Sequence, residues 1–241
     1  MANRITNHLT QNDNLPGMGT DDLDGVRAAA QVISNPDAIV DGLTIRAWSE
    51  EWLKALVNSK AGKENGFNDP HGEVAEKINN SHSPMYFITG APSGAVRTFE
   101  VHAGQDVMIP IVGETDSEGP GINPTIPNFV PPHTFAEEVQ TVLNSFAFSD
   151  IALSVDGKPV TNLQETETGI FSAGIVRAGT EAVDFFGAVP GAVLATTGQE
   201  GYFPVLDGLS KGTHVVKSAA TITQFGDSHT VTHTDIIKVD S

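Results

Sequence analysis

The order of apolar and polar residues predicts a chain built mostly from strands. Beyond Pro84, short apolar runs alternate with Gly and Pro, as in MYFITG, AVRTFEV and DVMIPIVG, and later in HVVKSAATI and HTVTHTDIIKV. Runs of this length bounded by turn residues are typical of strands. About eight such runs predict a mainly β fold, an antiparallel β-sandwich or jelly roll with two or three peripheral helices.

One domain preceded by a polar arm is the predicted organisation. Residues 1–20 are polar and end near Pro16, Gly17 and Gly19, so we expect no core there. A length of 241 residues and a hydrophobic content of 39% suit a single domain over 21–241. The apolar spacing predicts its helices near 21–34, 45–58 and 134–146.

The clearest helix contains both tryptophans of the chain. Trp48, Trp52 and Leu56 recur every four residues and therefore share one face. A pair of tryptophans on one face can stack on sugar rings, which makes Trp48 and Trp52 candidate ligand-binding residues. At helical spacing, the same pattern also predicts a core contact against a sheet.

The charge of the chain limits its partners. Thirty Asp and Glu against thirteen Lys and Arg give a net charge of −17. Such a surface repels nucleic-acid phosphates and anionic lipids, so we expect no nucleic-acid partner. No apolar run is long enough to span a bilayer, so we expect no membrane insertion. The remaining partners are neutral, cationic or metallic, with calcium as the only candidate cofactor.

The absence of cysteine excludes disulfides, zinc thiolates and cysteine nucleophiles. The N-terminus also lacks the regions of a cleaved secretory signal. An acidic, cysteine-free chain of this kind suits an extracellular or cell-surface location reached without a cleaved signal peptide. A cytoplasmic location is the alternative.

Candidate metal ligands lie in two polar segments. Glu114, Asp116 and Glu118 alternate at the start of the segment 113–133, which its glycines and prolines predict to be a long loop. Alternating carboxylates supply the hard oxygen ligands that calcium prefers. Asp69, in the polar segment KENGFNDPHGE, is a further candidate, although a solvated turn is the favoured interpretation of that segment.

Arg97 is the strongest candidate for chemistry because it lies in an otherwise apolar strand. A guanidinium there must find a carboxylate partner or face a ligand. A structural ion pair is one interpretation, and a ligand-binding or catalytic role is the other. His102 and Glu114 are further candidates for general acid and base work, but no spacing joins them to Arg97.

The order of several short motifs points to a family. The Trp-rich helix, NDPHG, YFITG, RTFEVHAG, MIPIV, VDGKPV and GYFPVLDGLSKGTHVV follow one another over residues 45–220. This order resembles a group of uncharacterised bacterial exported proteins with a Trp-rich helix, a WFLAG-like strand, an R-x-C-x-V-P-A-G-K turn and an FFP strand. Phe99 stands where that group has cysteine, and His102 where it has proline. The resemblance implies a secreted, β-sandwich-like fold and transfers no activity.

Two functions follow as hypotheses. No G-x-S-x-G, H-E-x-x-H or P-loop motif is present, so the sequence favours a non-enzymatic protein. It would be an exported or surface-associated β-sandwich that binds calcium, a glycan or its own copies in an extracellular assembly, as a homo-oligomer. The alternative is an enzyme acting on a small molecule or polysaccharide, with a pocket around Arg97 and His102.

Overall fold

A computed structural model describes residues 30–62, 65–122 and 134–240 of the chain. The predicted arm at 1–20 lies outside the described residues. The predicted mainly β fold is confirmed, and the described helices are α1 (Ile45–Asn58), α2 (Glu73–Ile78), α3 (Phe135–Leu143) and α4 (Glu181–Phe185). The strands are β1 (Gln31–Ile33), β2 (Ile39–Val40), β3 (Leu43–Thr44), β4 (Met85–Phe87), β5 (Ala95–Val101), β6 (Asp106–Met108), β7 (Val112–Glu118), β8 (Phe146–Val155), β9 (Lys158–Pro159), β10 (Thr166–Glu167), β11 (Gly174–Ile175), β12 (Val193–Leu194), β13 (Thr196–Tyr202), β14 (Val205–Asp207), β15 (Gly212–Gln224) and β16 (Asp227–Val239).

A four-stranded sheet, in the order β1-β14-β6-β4, forms the middle layer of the molecule. Alternate residues of its strands point to opposite faces. Met85 and Phe87 pack with Trp48 and Trp52 of α1. The intervening Tyr86 and the following Ile88 belong to a second core with the larger sheet. The middle sheet is therefore buried on both faces.

The larger sheet has five strands in the order β5-β16-β15-β8-β9. Its inner face contributes Phe99, Leu153, Val216 and Ile237 to the second core. Its centre is the hairpin of β15 and β16, in which the thirteen residues of Gly212–Gln224 pair with the thirteen residues of Asp227–Val239. Most pairs are antiparallel as predicted, whereas β5 with β16 and β4 with β6 are parallel.

Local sequence explains α1. The Thr44 side chain accepts a hydrogen bond from the Ala47 amide at 3.1 Å and caps the first turn. The apolar stripe then packs on the middle sheet, and the helix ends at Asn58 as predicted. In the described residues, no helix is long and apolar enough to cross a membrane.

Two helix predictions need correction. Of the helix predicted near 21–34, the first nine residues lie outside the described part, and Gln31–Ile33 forms β1 because it pairs with β14. The helix predicted near 134–146 is shorter, since α3 ends at Leu143 and β8 begins at Phe146. The described chain also contains α2 and α4, which the apolar spacing did not predict.

A three-stranded sheet in the order β10-β13-β7 and two two-stranded sheets, β2-β3 and β11-β12, complete the described fold. The helix α3 lies on one face of the three-stranded sheet, directly over Gly198. A Cβ atom at that position would lie 2.7 Å from Val139 and 2.9 Å from Leu143, so only glycine permits this close approach. The same face of this sheet carries most of the acidic residues considered below.

Candidate functional site

Arg97 forms a structural ion pair inside the molecule. Its Nε donates to Asp235 Oδ1 at 2.8 Å, and β5 and β16 place the two residues directly beside each other. One terminal nitrogen donates to the Thr89 carbonyl at 2.8 Å. The side chain of Arg97 is only 1% exposed, so it cannot reach a ligand from solvent. The structural interpretation of Arg97 is therefore confirmed.

His102 lies apart from this ion pair. Its side chain is 53% exposed, and its Nδ1 lies 2.9 Å from Asp240 Oδ2. His102 lines a small cleft of ≈ 150 Å³ with Tyr86 and Glu100, whereas Arg97 does not line it. Glu114 lines a different cleft, so the structure does not bring the three predicted catalytic residues, Arg97, His102 and Glu114, into one pocket.

Trp48 and Trp52 belong to the core. They are 8% and 5% exposed, and their indole nitrogens donate to the carbonyls of Val40 and Ile88 at 2.7 Å. Neither ring presents a face on which a sugar could stack. The prediction of a ligand-binding role for the two tryptophans is wrong, and their core interpretation is confirmed.

Asp69 supports the start of α2. Its Oδ2 accepts hydrogen bonds from the amides of Val74 and Ala75 at 3.1 and 3.0 Å, and from Thr89 Oγ1 at 2.7 Å. The residue is fully buried beneath the polar segment in which it lies. These bonds satisfy orphan amides of the helix, which is a structural role.

The acidic run Glu114, Asp116 and Glu118 lies in a strand rather than a loop. These residues are part of β7, which pairs with β13 over its whole length. Alternate residues of a strand share one face, so the three carboxylates point to the same side. The rest of the predicted loop, from 123 to 133, lies outside the described residues.

The described residues contain no group of three or more His, Asp or Glu side chains arranged to hold a metal ion. The four predicted metal ligands, Glu114, Asp116, Glu118 and Asp69, therefore do not form such a site with one another. Calcium binding by this protein stays a prediction.

Strand pairing instead creates a row of glutamates, which we call the carboxylate row. Glu114 of β7 lies opposite Glu200 of β13, and Glu200 lies opposite Glu167 of β10. Residues directly opposite each other in antiparallel strands have Cβ atoms about 5 Å apart. Glu165, two residues before Glu167, adds a fourth carboxylate on the same side.

Glu200 is the most unusual member of the row. It is 7% exposed. It forms no hydrogen bond or ion pair with another described residue, and burial, with Glu165, Glu167 and Glu114 nearby, raises its pKa to about 7. Burial likewise raises the pKa of Glu114 to about 7. A buried acid normally has a partner, so these two carboxyl groups mark a site beyond ordinary core packing.

Three members of the row, Glu165, Glu167 and Glu200, line an open cleft of ≈ 540 Å³. Phe146, Phe148 and Asn144, from the end of α3 and the start of β8, line the same cleft. An adjoining cleft of ≈ 560 Å³ contains Glu114, and Phe146 lines both. Sequence analysis identified Glu114 but missed Glu165, Glu167 and Glu200, because only strand pairing brings them together.

A second surface feature lies on the solvent side of the five-stranded sheet. Side chains from β8, β15 and β16 form three rows there, and toward the hairpin tip these rows contain eight uncharged Ser, Thr and Ala residues. We call this surface the outer sheet patch, and it consists of Ser149, Ala152, Ala219, Thr221, Thr223, Ser228, Thr230 and Thr232.

The hydroxyl groups of the outer sheet patch bond to one another across the strands. Thr221 Oγ1 lies 3.2 Å from Thr230 Oγ1, and Thr223 Oγ1 lies 2.6 Å from Ser228 Oγ. These bonds occupy hydroxyl groups that would otherwise form hydrogen bonds with water. Phe225, at the tip of the same hairpin, is 83% exposed.

No model of a known protein family matches this chain, and no curated protein is significantly similar to it. The resemblance to exported bacterial proteins therefore stays a prediction. The functional proposals below rest on the geometry of the two sites.

Proposed function

We propose that this protein is a non-enzymatic β-sandwich that associates with its own copies through the outer sheet patch. The setting that fits this role is an extracellular or cell-surface assembly, as the sequence also suggests. The observation that carries the proposal is the cluster of eight uncharged Ser, Thr and Ala residues on one sheet face in a protein of net charge −17.

Electrostatics favours this surface for contact between copies. Two molecules that each carry −17 repel one another, and an acidic contact surface would add the cost of desolvating its carboxylates. The patch reduces that second cost, because among its own strands only Asp150, which accepts a hydrogen bond from Ser149, and Asp227, at the hairpin end, are acidic neighbours of its eight residues. Lys217, beside the patch on β15, adds a positive charge that suits an acidic neighbour.

The shape of the patch also suits a contact between two sheets. Small Ser, Thr and Ala side chains let two sheet faces approach to about 10 Å, as in the interior of a β-sandwich. Because the threonine hydroxyls are paired within one molecule, a second copy would meet mainly methyl groups.

The other predicted roles have less support. A glycan cannot stack on the two tryptophans, because both are buried. An enzyme with a pocket around Arg97 and His102 loses its ligand-binding group, because the Arg97 side chain is enclosed.

The test is the oligomeric state of the full chain, measured by sedimentation velocity over a range of concentrations. We expect reversible association that weakens at low salt, where repulsion between acidic molecules is less screened. In Thr221→Glu/Thr230→Glu, two new carboxylates in the patch should abolish association. Thr161→Glu, at an exposed loop position outside the patch, is the matched control and should associate like the unmodified chain.

Two results would contradict the proposal. One is a full chain that stays monomeric at every concentration. The other is a double variant that still associates, whereas deletion of residues 1–20 abolishes association, because this pair of results would assign the contact to the polar arm.

A further inference from the structure

The carboxylate row differs from a solvated acidic surface because one of its carboxyl groups is buried. Glu200 is more than nine-tenths buried and has no partner among the described residues, yet it lines an open cleft. Burial of an unpartnered acid destabilises a protein unless the acid is protonated or meets a cation. The fold therefore keeps the carboxyl group of Glu200 buried, and its cationic partner would be a ligand from solution.

We propose that the cleft beside Glu200 binds a ligand carrying a primary ammonium group, such as an alkyl diamine. The row supplies acceptors for the N–H donors of the ammonium group, and the aromatic rings that line the cleft suit its alkyl chain. This inference concerns a different surface from the outer sheet patch and goes beyond the proposed association.

The chemistry of the walls favours an ammonium group over a hard metal ion. Calcium takes six to eight oxygen ligands from all sides, whereas the described carboxylates lie in a row along one wall. An ammonium group needs only up to three acceptors, and it tolerates an aromatic face near it. Phe146 and Phe148 are the aromatic residues that line this cleft.

Charge and size agree with this ligand class. The described residues that line the two clefts include no Lys, Arg or His, so no internal cation competes for the row. A net charge of −17 attracts cations toward the surface. The cleft volume of ≈ 540 Å³ lies within the range typical of small-molecule sites.

Binding should depend on pH because the acceptors titrate near neutrality. Affinity should rise as the pH increases through about 7, where Glu200 and Glu114 lose their protons. No charged side chain of α3 or β8 lines the cleft, and the titratable groups around Glu200 come from the strands and from α4. They are Glu114, Glu165, Glu167, Tyr202 and, in the adjoining cleft, Asp184.

The experiment is isothermal titration calorimetry of the full chain with 1,4-diaminobutane, at constant ionic strength and at pH values on both sides of neutrality. We expect saturable binding that strengthens with pH. Glu200→Gln keeps the shape of the side chain and removes its charge, so it should weaken binding by about tenfold. Glu167→Gln, at an exposed position where folding is not at risk, should weaken binding by about threefold.

Glu73→Gln is the matched control. It removes one exposed carboxylate from α2, outside the cleft, and should leave the affinity unchanged. Three results would overturn the proposal: no saturable binding, equal weakening in the control and in Glu200→Gln, or displacement of the diamine by calcium at concentrations where sodium at equal ionic strength has no effect. The last result would assign the row to a metal ion.

Discussion

Arg97 and Glu200 are both buried charged residues, but their surroundings are opposite. Arg97 is 3% exposed and lies 2.8 Å from the carboxylate of Asp235. Glu200 is 7% exposed, and its neighbours across the strands are two further glutamates. Burial alone therefore does not distinguish a structural charge from a functional one. The presence of a partner distinguishes them, because a paired charge stabilises the fold, whereas an unpaired charge needs a proton or a ligand.

The strongest test of this comparison removes the partner of Arg97. Asp235→Ala leaves a guanidinium buried without a carboxylate, which should lower the free energy of unfolding by ~3–5 kcal/mol. Replacing both residues, as in Arg97→Met/Asp235→Leu, should restore most of that loss, because an apolar pair of similar size needs no partner. Urea unfolding at neutral pH measures both. A loss below ~1 kcal/mol in the single variant would show that Arg97 does not depend on Asp235.

The second test concerns the unpaired site and its dependence on pH. Folding raises the pKa of Glu200 from 4.5 to about 7, so the native state binds more protons than the unfolded state between these values. This group therefore makes the protein less stable as the pH rises from 4.5 to about 7. Glu200→Gln should be more stable than the unmodified chain above pH 7, by ~1–2 kcal/mol after solvent screening is allowed for.

Urea unfolding of both chains across this pH range isolates the contribution of Glu200. The difference in stability should disappear below pH 4.5, where the carboxyl group is protonated in both states. A difference that does not change with pH would mean that folding does not shift the pKa of Glu200.

The third test asks whether α3, which packs on the same sheet face as the carboxylate row, can be destabilised without affecting the region of the Arg97 ion pair. Thr134 and Glu137 form a capping box at the start of α3, the helix that lies over Gly198. Thr134→Ala should cost ~1 kcal/mol. Hydrogen exchange should increase in α3, whereas exchange near the Arg97 ion pair should not change. Equal increases at both places would mean that the two regions open together.

The smallest expected effect belongs to the exposed contact between His102 and Asp240. Its side chains are 53% and 49% exposed, so solvent screens their attraction. Asp240→Ala should therefore change the free energy of unfolding by less than ~1 kcal/mol, as measured beside Asp235→Ala. A cost close to that of the buried pair would contradict the role that we assign to burial.

Elements set by local sequence could be predicted, and α1 is the clearest case. Its cap at Thr44 and its stripe of Trp48, Trp52 and Leu56 lie within fifteen residues, and the predicted bounds 45–58 match the structure. Asp156 and Gly157 likewise form the turn between β8 and β9, with positive φ angles of 50° and 74°. Both features depend on interactions between near neighbours in the chain.

Features that depend on strand pairing could not be predicted. A carboxylate partner is one of the two interpretations that the sequence offers for Arg97, but Asp235 lies near the other end of the chain and meets it only through the parallel pairing of β5 with β16. The acidic run of β7 has a poor composition for a strand, and pairing with β13 overrides that preference. The alternation of Glu114, Asp116 and Glu118 was the available signal, since a period of two is typical of strands.

The middle position of the four-stranded sheet has a consequence for how the chain tolerates substitution. Every residue from Met85 to Ile88 is buried, because one face meets α1 and the other meets the larger sheet. In β5, burial alternates, with Val96, Thr98 and Glu100 facing solvent. A scan of all single substitutions would therefore be uniformly intolerant along β4 and would alternate along β5. The order of the layers could then be recovered from the tolerance pattern alone, without a structure.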